Sequence, residues 1–530
     1  MQLNQKNYDI VIIGGGAVGS GILLDATLRG YKAILLEKND FASGSSSKSS
    51  KLVHGGVRYL EKAIKDLDKA QYDLVKEGLE ERYVFLKNAS LLSKKIKINI
   101  PIFSYINFFY TWIGLLLYKI IAGKKNIGNN SFINNVLSSL YFSNLKKKSL
   151  KGCLSFYDGS FLDSKMVIAL IQSSVKEGAI AKNYCEVIEF LYYENQKISG
   201  VRYFDKTENK TYEIGCSCII NATGANVDNM RVLDDKDSKE ILALSSGVHI
   251  VISKDFLFSD EALLIPNTSD GRIIFILPYL NHCLIGTTDN KCIYDENINA
   301  KDEEIEYLLN EVNKYFIKSL KKDDILSAWS GIRPLIKSNT KNKTEQIVRE
   351  YVIKISKNGL VSIAGGKWTT YRKMAEDLMD FLFEKNYLEK RKTCQTKHYK
   401  LFSNDIKYSK LEKLISFYPI TQETKQSLIT LYGNSATIVL NIANELNNFE
   451  LINEKLPYLK AEIIYCLEYE FVKKPIDFLV RRTGLCFINK KAALDCVETV
   501  CSEMGKLYNW ENEKIKDEIK ECKDYIYKNF

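Results

Sequence analysis

Closely spaced cysteine pairs and histidines are scarce in this chain, and both shortages limit the kinds of site that it can form. The 12 cysteines are scattered without a C-x-x-C pair, so their spacing matches neither a zinc nor an iron–sulfur site, and we expect no metal. No signal peptide precedes the first predicted strand, so we expect free thiols in a reducing cytosol. Only four histidines are present, which leaves few candidates for proton transfer.

The remaining composition is that of a globular protein with more than one domain. It combines 7 prolines with 45% hydrophobic and 26% charged residues. At 530 residues the chain is too long for a single core, and we expect two or three domains. The net charge of +10 suits an anionic substrate or an anionic membrane surface. It is too diffuse to indicate nucleic acid, and we predict no nucleic-acid partner.

The strongest pattern lies at the N-terminus. Residues 9–13 are a short apolar run that predicts a buried parallel strand. The run leads into GGGAVG at 14–19, which fits G-x-G-x-x-G, and a helical pattern follows to Leu28. A second predicted strand, 32–36, ends on Glu37. This order of strand, glycines, helix, strand and acid predicts a dinucleotide site.

Each part of this motif has a physical role. Gly14 permits the tight turn, Gly16 lets the backbone approach a pyrophosphate, and Gly19 lets the helix pack closely on the strand. The N–H groups at the helix start attract phosphate. Glu37 is placed to accept a hydrogen bond from a ribose 2′-OH.

The next two segments are rich in polar groups. Residues 41–51, FASGSSSKSSK, predict either a flexible linker or a loop wrapped around a polar ligand. Residues 52–60 bring His54, two glycines and Arg58 together. From Gly14 to Tyr59 the sequence resembles the N-terminal signature of the FAD-dependent sn-glycerol-3-phosphate dehydrogenase family.

A second motif with the same order of strand, glycines and helix start follows some three hundred residues later. A predicted strand at 360–364 runs into GGKWTTYRKMA at 365–375, which is similar to the family's second signature at every fixed position. Segments 286–289 and 330–335 match the family as well. A helix N-terminus aimed at the flavin would stabilise negative charge on the reduced ring. The resemblance implies FAD as the cofactor, and the second motif makes an NAD enzyme the weaker hypothesis.

The resemblance implies an α/β fold with three parts. They are a two-dinucleotide-fold FAD domain of the glucose/D-amino-acid oxidase type, an inserted antiparallel-sheet substrate domain and an all-α C-terminal domain, which caps the substrate domain and offers a surface for a homodimer. Alternating strands between 245 and 355, including one at 348–355, predict the inserted sheet. We therefore assign 1–90, 151–244 and 356–385 to the FAD-binding domain, 91–150 to a membrane-contact insertion, 245–355 to the substrate domain and 386–530 to the helical domain.

Residues 102–122, IFSYINFFYTWIGLLLYKIIA, are about one bilayer thick as a helix and carry only one charge, Lys119. Aromatic residues crowd the first half, and lysines follow at 124–125 and 146–148. This pattern favours a helix lying in a membrane interface, with its lysines on anionic headgroups. A buried core or dimer helix and a spanning helix are the alternatives. The resemblance implies a monotopic enzyme at the cytoplasmic face of the membrane that passes electrons to quinone.

The predicted cofactor-binding residues come from the two motifs, the serine-rich loop and the small-residue turn after the strand at 218–221. The resemblance adds Val187, which it places near the adenine. The full set is Gly14, Gly16, Gly19, Glu37, Ser43, Ser45, Ser46, Val187, Ala222, Thr223, Gly224, Gly366, Lys367 and Thr369.

Oxidising a secondary alcohol requires a hydride acceptor, a base and an anchor for the substrate. No side chain accepts hydride, so the cofactor would accept it. His54, in a loop headed for the flavin, and His249, inside an apolar strand, are the two candidate bases, and the sequence does not rank them. His282 and His398 are interpreted as ordinary loop or surface residues.

The substrate that the resemblance implies, sn-glycerol 3-phosphate, is a dianion whose phosphate calls for Arg or Lys. Arg58, Arg333 and Lys367 match the family's substrate-contacting positions, and we count Arg333 and Lys367 among the catalytic candidates too. Further substrate-binding candidates are His249, Tyr59, Thr369 and Thr370.

Three functions are compatible with these patterns. The leading one is oxidation of sn-glycerol 3-phosphate to dihydroxyacetone phosphate, with electrons passed to membrane quinone. A cytoplasmic oxidase would run the same half-reaction and reduce O2 to H2O2. A non-catalytic flavin-binding assembly protein would have no use for the anion-binding cluster His54, Arg58, Arg333 and Lys367.

Overall fold

The computed structural model describes residues 8–56, 68–337 and 351–530. The predicted substrate-binding residues Arg58 and Tyr59 lie outside the described residues.

The first half of the chain alternates strands with helices. In order, the elements are β1 (Tyr8–Ile13), α1 (Ala17–Leu28), β2 (Ala33–Leu36), β3 (Leu52–Val53), α2 (Lys69–Asn88), β4 (Ser93–Ile102), α3 (Tyr105–Ala122), β5 (Ser131–Asn134), α4 (Asn135–Tyr141), β6 (Gly152–Phe161), α5 (Asp163–Lys176), β7 (Ile180–Lys182), β8 (Cys185–Tyr192), β9 (Ile198–Asp205), β10 (Lys210–Asn221) and α6 (Val227–Asp234).

The second half begins with strands and ends in helices. In order, these are β11 (Leu242–Ser253), β12 (Ala262–Ile265), β13 (Ile274–Tyr279), β14 (His282–Gly286), β15 (Asn290–Lys291), α7 (Asp302–Asn313), β16 (Ile325–Ile336), β17 (Tyr351–Ile355), β18 (Val361–Gly365), α8 (Tyr371–Glu384), α9 (Tyr408–Ile415), α10 (Gln422–Tyr432), α11 (Ala436–Glu445), α12 (Ala461–Tyr469), α13 (Pro475–Asp477), α14 (Leu485–Ile488), α15 (Lys490–Tyr508) and α16 (Asn512–Asn529).

An eight-stranded sheet carries the N-terminal motif. Its strand β1 lies between β10 and β2, both parallel to it, and β18 and β7 extend the parallel order. Because side chains alternate along a strand, Ile10 and Ile12 pack into one core with α1, α5 and α8, whereas Val11 and Ile13 pack into a second core beneath the β8–β9 ribbon. Burial on both faces explains the continuous apolar run that predicted this strand.

A ten-stranded sheet forms the second layer, and it is larger than the sequence predicted. In it β11 pairs with β14, β15 and β16, and the order continues through β13, β12, β4 and β6. Every described pairing is antiparallel except that of β12 with β4. β4 and β6 lie outside the range 245–355 to which we confined the sheet, yet they belong to it.

One strand was assigned to the wrong sheet. The strand predicted at 348–355, described from Tyr351 onward, pairs with β18 in the FAD-domain sheet. Alternating residues indicate a half-buried strand but carry no information about which neighbour it pairs with.

Helix α3 is the one helix in the described part of the chain that is long and apolar enough to cross a membrane. The helix starts at Tyr105 and not at the predicted residue 102, which is the last residue of β4. Only Leu115, Tyr118 and Ala122 are buried. The opposite face is uncovered within this chain: Ile106 is 81% exposed and Ile120 70%. The helix is therefore not a core helix of this chain.

The exposed face of α3 extends onto its neighbours β5 and α4. Phe108 of α3 meets Phe132 of β5 edge to face, with ring centroids 5.1 Å apart. In α4, Val136 and Leu140 are 65% and 72% exposed. We call this surface of α3, β5 and α4 the apolar face.

The C-terminal helices hold two other parts of the chain together. The guanidinium groups of Arg481 and Arg482 both pair with the buried carboxylate of Asp40, in the loop after β2. Ser327 of β16 donates a hydrogen bond to the carbonyl of Cys486 (2.7 Å). The C-terminal domain therefore holds the loop after β2 and the ten-stranded sheet in place.

Glu462 in α12 should make stability depend on pH. Leu459 N–H (2.6 Å) and the Tyr432 hydroxyl (2.8 Å) donate to its carboxylate, but burial raises its pKa from 4.5 to about 8. The pKa of Glu462 is higher in the folded state than in the unfolded state, so the folded state binds this proton more tightly. The stability that this proton contributes is fully present below pH 4.5 and is lost as pH rises through about 8. Glu462→Gln should flatten the fall in melting temperature over that range. Glu454→Gln, at an exposed position, is the control, and parallel curves for wild type and Glu462→Gln would contradict the assignment.

Candidate active site

A cavity of about 270 Å³ opens at the carboxyl ends of β1, β2, β10 and β18. Ligands of open parallel sheets bind at this edge. At the start of α1, Ala17 N–H donates to Ser46 Oγ (2.9 Å). Gly15 N–H (2.7 Å) and Asn39 N–H (2.9 Å) donate to the two carboxylate oxygens of Glu37. These two hydrogen bonds fix Glu37 at the tip of β2. Burial raises the pKa of its carboxyl group.

The glycines leave space that other side chains would fill. A Cβ on Gly14, whose φ is +108°, would lie 2.7 Å from the carbonyl oxygen of Ala222. On Gly19 it would lie 1.9 Å from the carbonyl oxygen of Gly14. Gly16 keeps the helix start open toward Ser46. The turn at Gly14 and the close helix packing at Gly19 match the predicted roles, and the open space at Gly16 fits a dinucleotide pyrophosphate.

Most predicted cofactor residues line this first cavity. Gly19 and Thr369 do not: Gly19 serves helix packing, and Thr369 lines a second cavity. The lining residues that we predicted are Gly14, Gly16, Glu37, Ser43, Ser45, Ser46, Val187, Ala222, Thr223, Gly224, Gly366 and Lys367.

The second cavity, of about 290 Å³, lies between the FAD domain and the ten-stranded sheet. His54, His249, Arg333, Lys367 and Thr369 all line it. The two cavities share a wall made of Ser45, Lys48, Ile332, Pro334, Gly366, Lys367 and Trp368. A group bound at the flavin end of the first cavity would therefore meet a ligand in the second.

Arg333 is held rigidly in β16. Its Nη1 donates to Ser246 O (3.2 Å) and pairs with Asp289 (3.2 Å), while its Nη2 donates to Thr287 Oγ1 and Thr288 O (both 3.1 Å). These partners use the N–H groups of both terminal nitrogens, so an oxyanion would bind the planar guanidinium by displacing one of them.

His249 in β11 is buried at the wall of the second cavity. Its Nε2 lies 2.8 Å from Ser50 Oγ, and its ring stacks on Trp329 with centroids 5.4 Å apart. Burial, together with the positive charges of Arg333 and Lys51, lowers the pKa of His249 well below its usual value. The imidazole is therefore neutral at physiological pH.

His54 follows β3, and its backbone N–H donates to Thr369 Oγ1 (3.3 Å). Thr370, predicted to bind substrate, lines neither cavity, and its hydroxyl donates to Lys367 O (3.3 Å).

Several residues that line the second cavity were not predicted from the sequence. These are Lys48, Ser50, Asp158, Arg272, Thr287 and Asp289. The match of segment 286–289 to the family was a signal for Thr287 and Asp289. Lys48 had no such signal. Burial and the positive charge of Arg481 lower the pKa of its ammonium group to about 8, and Asp295 partly opposes them.

Comparison with known proteins places the chain in a family. A profile described as FAD dependent oxidoreductase matches residues 9–372, and one described as the C-terminal domain of alpha-glycerophosphate oxidase matches residues 394–515. The mitochondrial glycerol-3-phosphate dehydrogenase of Bos taurus is 36% identical over 537 residues, covering 99% of this chain and 74% of the relative. The chain belongs to the FAD-dependent glycerol-3-phosphate dehydrogenase family.

Other members of this family are similar to the chain over nearly its whole length. The probable mitochondrial glycerol-3-phosphate dehydrogenase of Dictyostelium discoideum is 36% identical over 544 residues, covering 99% of this chain and 85% of the relative. The Bacillus halodurans glycerol-3-phosphate dehydrogenase, solved in complex with FAD, matches with a TM-score of 0.79 at 29% identity, covering 100% of this chain and 96% of that one. The predicted fold class and FAD as the cofactor are therefore confirmed.

Gly247 makes room for Arg333. A Cβ at this position would lie 2.3 Å from Arg333 Nη2 and 2.6 Å from Nη1, so Gly247→Ala should displace the guanidinium. We expect a KM for sn-glycerol 3-phosphate raised about tenfold or more, with normal flavin content. Gly114→Ala, whose Cβ would meet nothing within 4 Å, is the control. An unchanged KM in Gly247→Ala would rule out this role.

Proposed function

We propose that this protein oxidises sn-glycerol 3-phosphate to dihydroxyacetone phosphate and passes the electrons to membrane quinone. The observation that carries the proposal is the wall shared by the two cavities, where Lys367 lines both and Arg333 lies alongside. Bound FAD supplies a two-electron acceptor for the hydride from C2 of the alcohol. The proton of the C2 hydroxyl then needs a base in the second cavity.

Two cations serve the substrate phosphate and the reacting oxygen. Arg333 is oriented by Asp289 and by the carbonyls of Ser246 and Thr288. Lys367 stands where the two cavities meet, which suits a group that polarises the oxygen at C2. Anchoring the phosphate at a distance from the reacting carbon orients the substrate for transfer.

His249 and His54 remain the candidates for the base. The neutral imidazole of His249 is able to accept a proton, but its burial beside Arg333 and Lys51 disfavours the charged product. A bound phosphate dianion would offset those positive charges and raise the basicity of His249. His54 follows β3, at the other end of the same ten-stranded sheet, and lines the same cavity.

An anaerobic flavin spectrum tests the proposed half-reaction. Adding sn-glycerol 3-phosphate to the purified holoprotein should bleach the oxidised flavin band, because two electrons move to the cofactor. Arg333→Ala should retain FAD and lose most of this response at low substrate, since the phosphate loses its planar partner. A stable band in the wild type would favour the non-catalytic flavin-binding alternative.

The electron acceptor needs a separate measurement. The match of residues 394–515 to the alpha-glycerophosphate oxidase C-terminal domain keeps an oxidase as the second candidate. The Mycoplasma pneumoniae L-alpha-glycerophosphate oxidase, at 15% identity and a TM-score of 0.56, shares the fold, covering 74% of this chain and 98% of that one. Stoichiometric H2O2 without an added acceptor would favour the oxidase, and reduction of a short-chain quinone without peroxide would favour the dehydrogenase.

We place the protein on the cytoplasmic face of the membrane through its apolar face. The exposed side chains of α3 recur at helical spacing: Tyr105, Phe109, Ile113, Leu116 and Ile120. A helix with one uncovered apolar side and lysines nearby suits an interface-bound position better than a spanning one. A quinone acceptor, which is soluble in lipid, is consistent with this position.

Liposome sedimentation tests the membrane contact. The wild type should sediment with phosphatidylcholine–phosphatidylglycerol vesicles, and Ile106→Glu with Ile113→Glu should not, because each places a charge where acyl chains would lie. Phe417→Glu changes a side chain that is 92% exposed in the C-terminal domain and is the matched control. A wild type that stays in the supernatant would refute the contact.

A further inference from the structure

Tyr118 extends from the buried side of α3 toward the substrate cavity. Its side chain is only 4% exposed, although it belongs to the helix that forms most of the apolar face. Its ring packs edge to face on Phe156 of β6, with centroids 6.1 Å apart. The hydroxyl group therefore lies where α3, α2, β6 and the segment after β3 meet.

The Tyr118 hydroxyl takes part in two hydrogen bonds. It accepts one from the backbone N–H of Gly55 (2.9 Å) and donates one to Asp158 Oδ1 (2.9 Å). The same carboxylate oxygen accepts from Arg82 Nη1 of α2 (2.6 Å). The side chains of Arg82 and Asp158 are 1% and 3% exposed, so water does not compete for these bonds.

Both partners of Tyr118 belong to the wall of the substrate cavity or adjoin it. Asp158 lines the cavity directly, and Gly55 lies between His54 and Gly56, which line it too. A Cβ on Gly55 would lie 2.6 Å from Leu79 and 2.7 Å from the Tyr118 oxygen. A larger residue there would have to displace these side chains, and a backbone with two successive glycines needs an external contact to hold it in one conformation.

We propose that Tyr118 is a positioning residue for substrate oxidation, whose hydroxyl fixes the His54–Gly56 segment and Asp158 at the wall of the substrate cavity. This inference rests on the function proposed above. Without the hydroxyl, the Gly55 N–H loses its acceptor at 2.9 Å and Asp158 Oδ1 loses a donor at 2.9 Å, and the loss of both buried bonds favours a shifted backbone. A small shift of the wall that carries a candidate base is enough to slow the reaction.

Tyr118→Phe tests the inference because it keeps the ring and removes only the oxygen. We expect kcat/KM for sn-glycerol 3-phosphate to fall about tenfold. Flavin content and the flavin spectrum should not change, because Tyr118 lies outside the lining of the cofactor cavity.

Tyr432→Phe is the matched control. Tyr432 is buried in the C-terminal domain, and its hydroxyl also donates to an acidic side chain, that of Glu462 (2.8 Å). Both variants should lose similar thermal stability, but only Tyr118→Phe should lose turnover. If the two variants have kcat/KM values within about twofold of each other, Tyr118 is only structural and the inference is overturned.

Different results refute the proposed function and the role of Tyr118. A wild-type flavin that sn-glycerol 3-phosphate does not bleach refutes the proposed function, whatever Tyr118→Phe does. Should Tyr118→Phe not fold, hydrogen exchange of the wild type at single-residue resolution replaces it. Slow exchange of the Gly55 amide would support the contact, and exchange at the rate of an open loop would overturn the inference.

Discussion

Asp40 is a carboxylate enclosed by the protein and paired with the guanidinium groups of Arg481 and Arg482, more than four hundred residues away in sequence. Burial would raise its pKa, but the two guanidiniums lower it to about 2, so the charge is retained. Removing one side of such a buried pair leaves an uncompensated charge, which is among the most destabilising changes that a protein can undergo.

The rest of the site depends on this pairing because Asp40 anchors the loop that runs from β2 to β3. That one loop supplies Glu37 to the first cavity, Ser46 to the start of α1 and Ser50 to His249. Further along, Lys51 pairs with Asp163 inside the protein (2.7 Å). The C-terminal domain, which lines neither of the two cavities, thus determines where the loop lies between them.

Features that depend on neighbouring residues were predicted from the sequence more completely than contacts between distant parts of the chain. The N-terminal motif was predicted almost residue by residue, because Gly14, Gly16 and Gly19 act on neighbouring backbone. His54, His249, Arg333 and Lys367 were predicted to belong to one site, and the structure brings them around one cavity. Partners that only tertiary structure creates were missed, such as Asp289 beside Arg333 and Arg482 beside Asp40. Strand partners were lost for the same reason: the pattern of β17 indicates a strand, but pairing depends on the path of the whole chain.

The pairing of β1 with β10 has a consequence for synthesis. Tyr8 lies opposite Cys216, and β18, from Val361 onward, must then add to β10. On the ribosome, β1 can pair with β2 early, but its other edge waits for about 200 further residues. At roughly 5–20 residues per second, that edge stays open for on the order of ten to forty seconds, and Asp40 waits longer still for its arginines. An apolar strand edge left open for so long is prone to wrong pairing. The nascent chain of this protein is therefore expected to depend on chaperones until its last helices emerge.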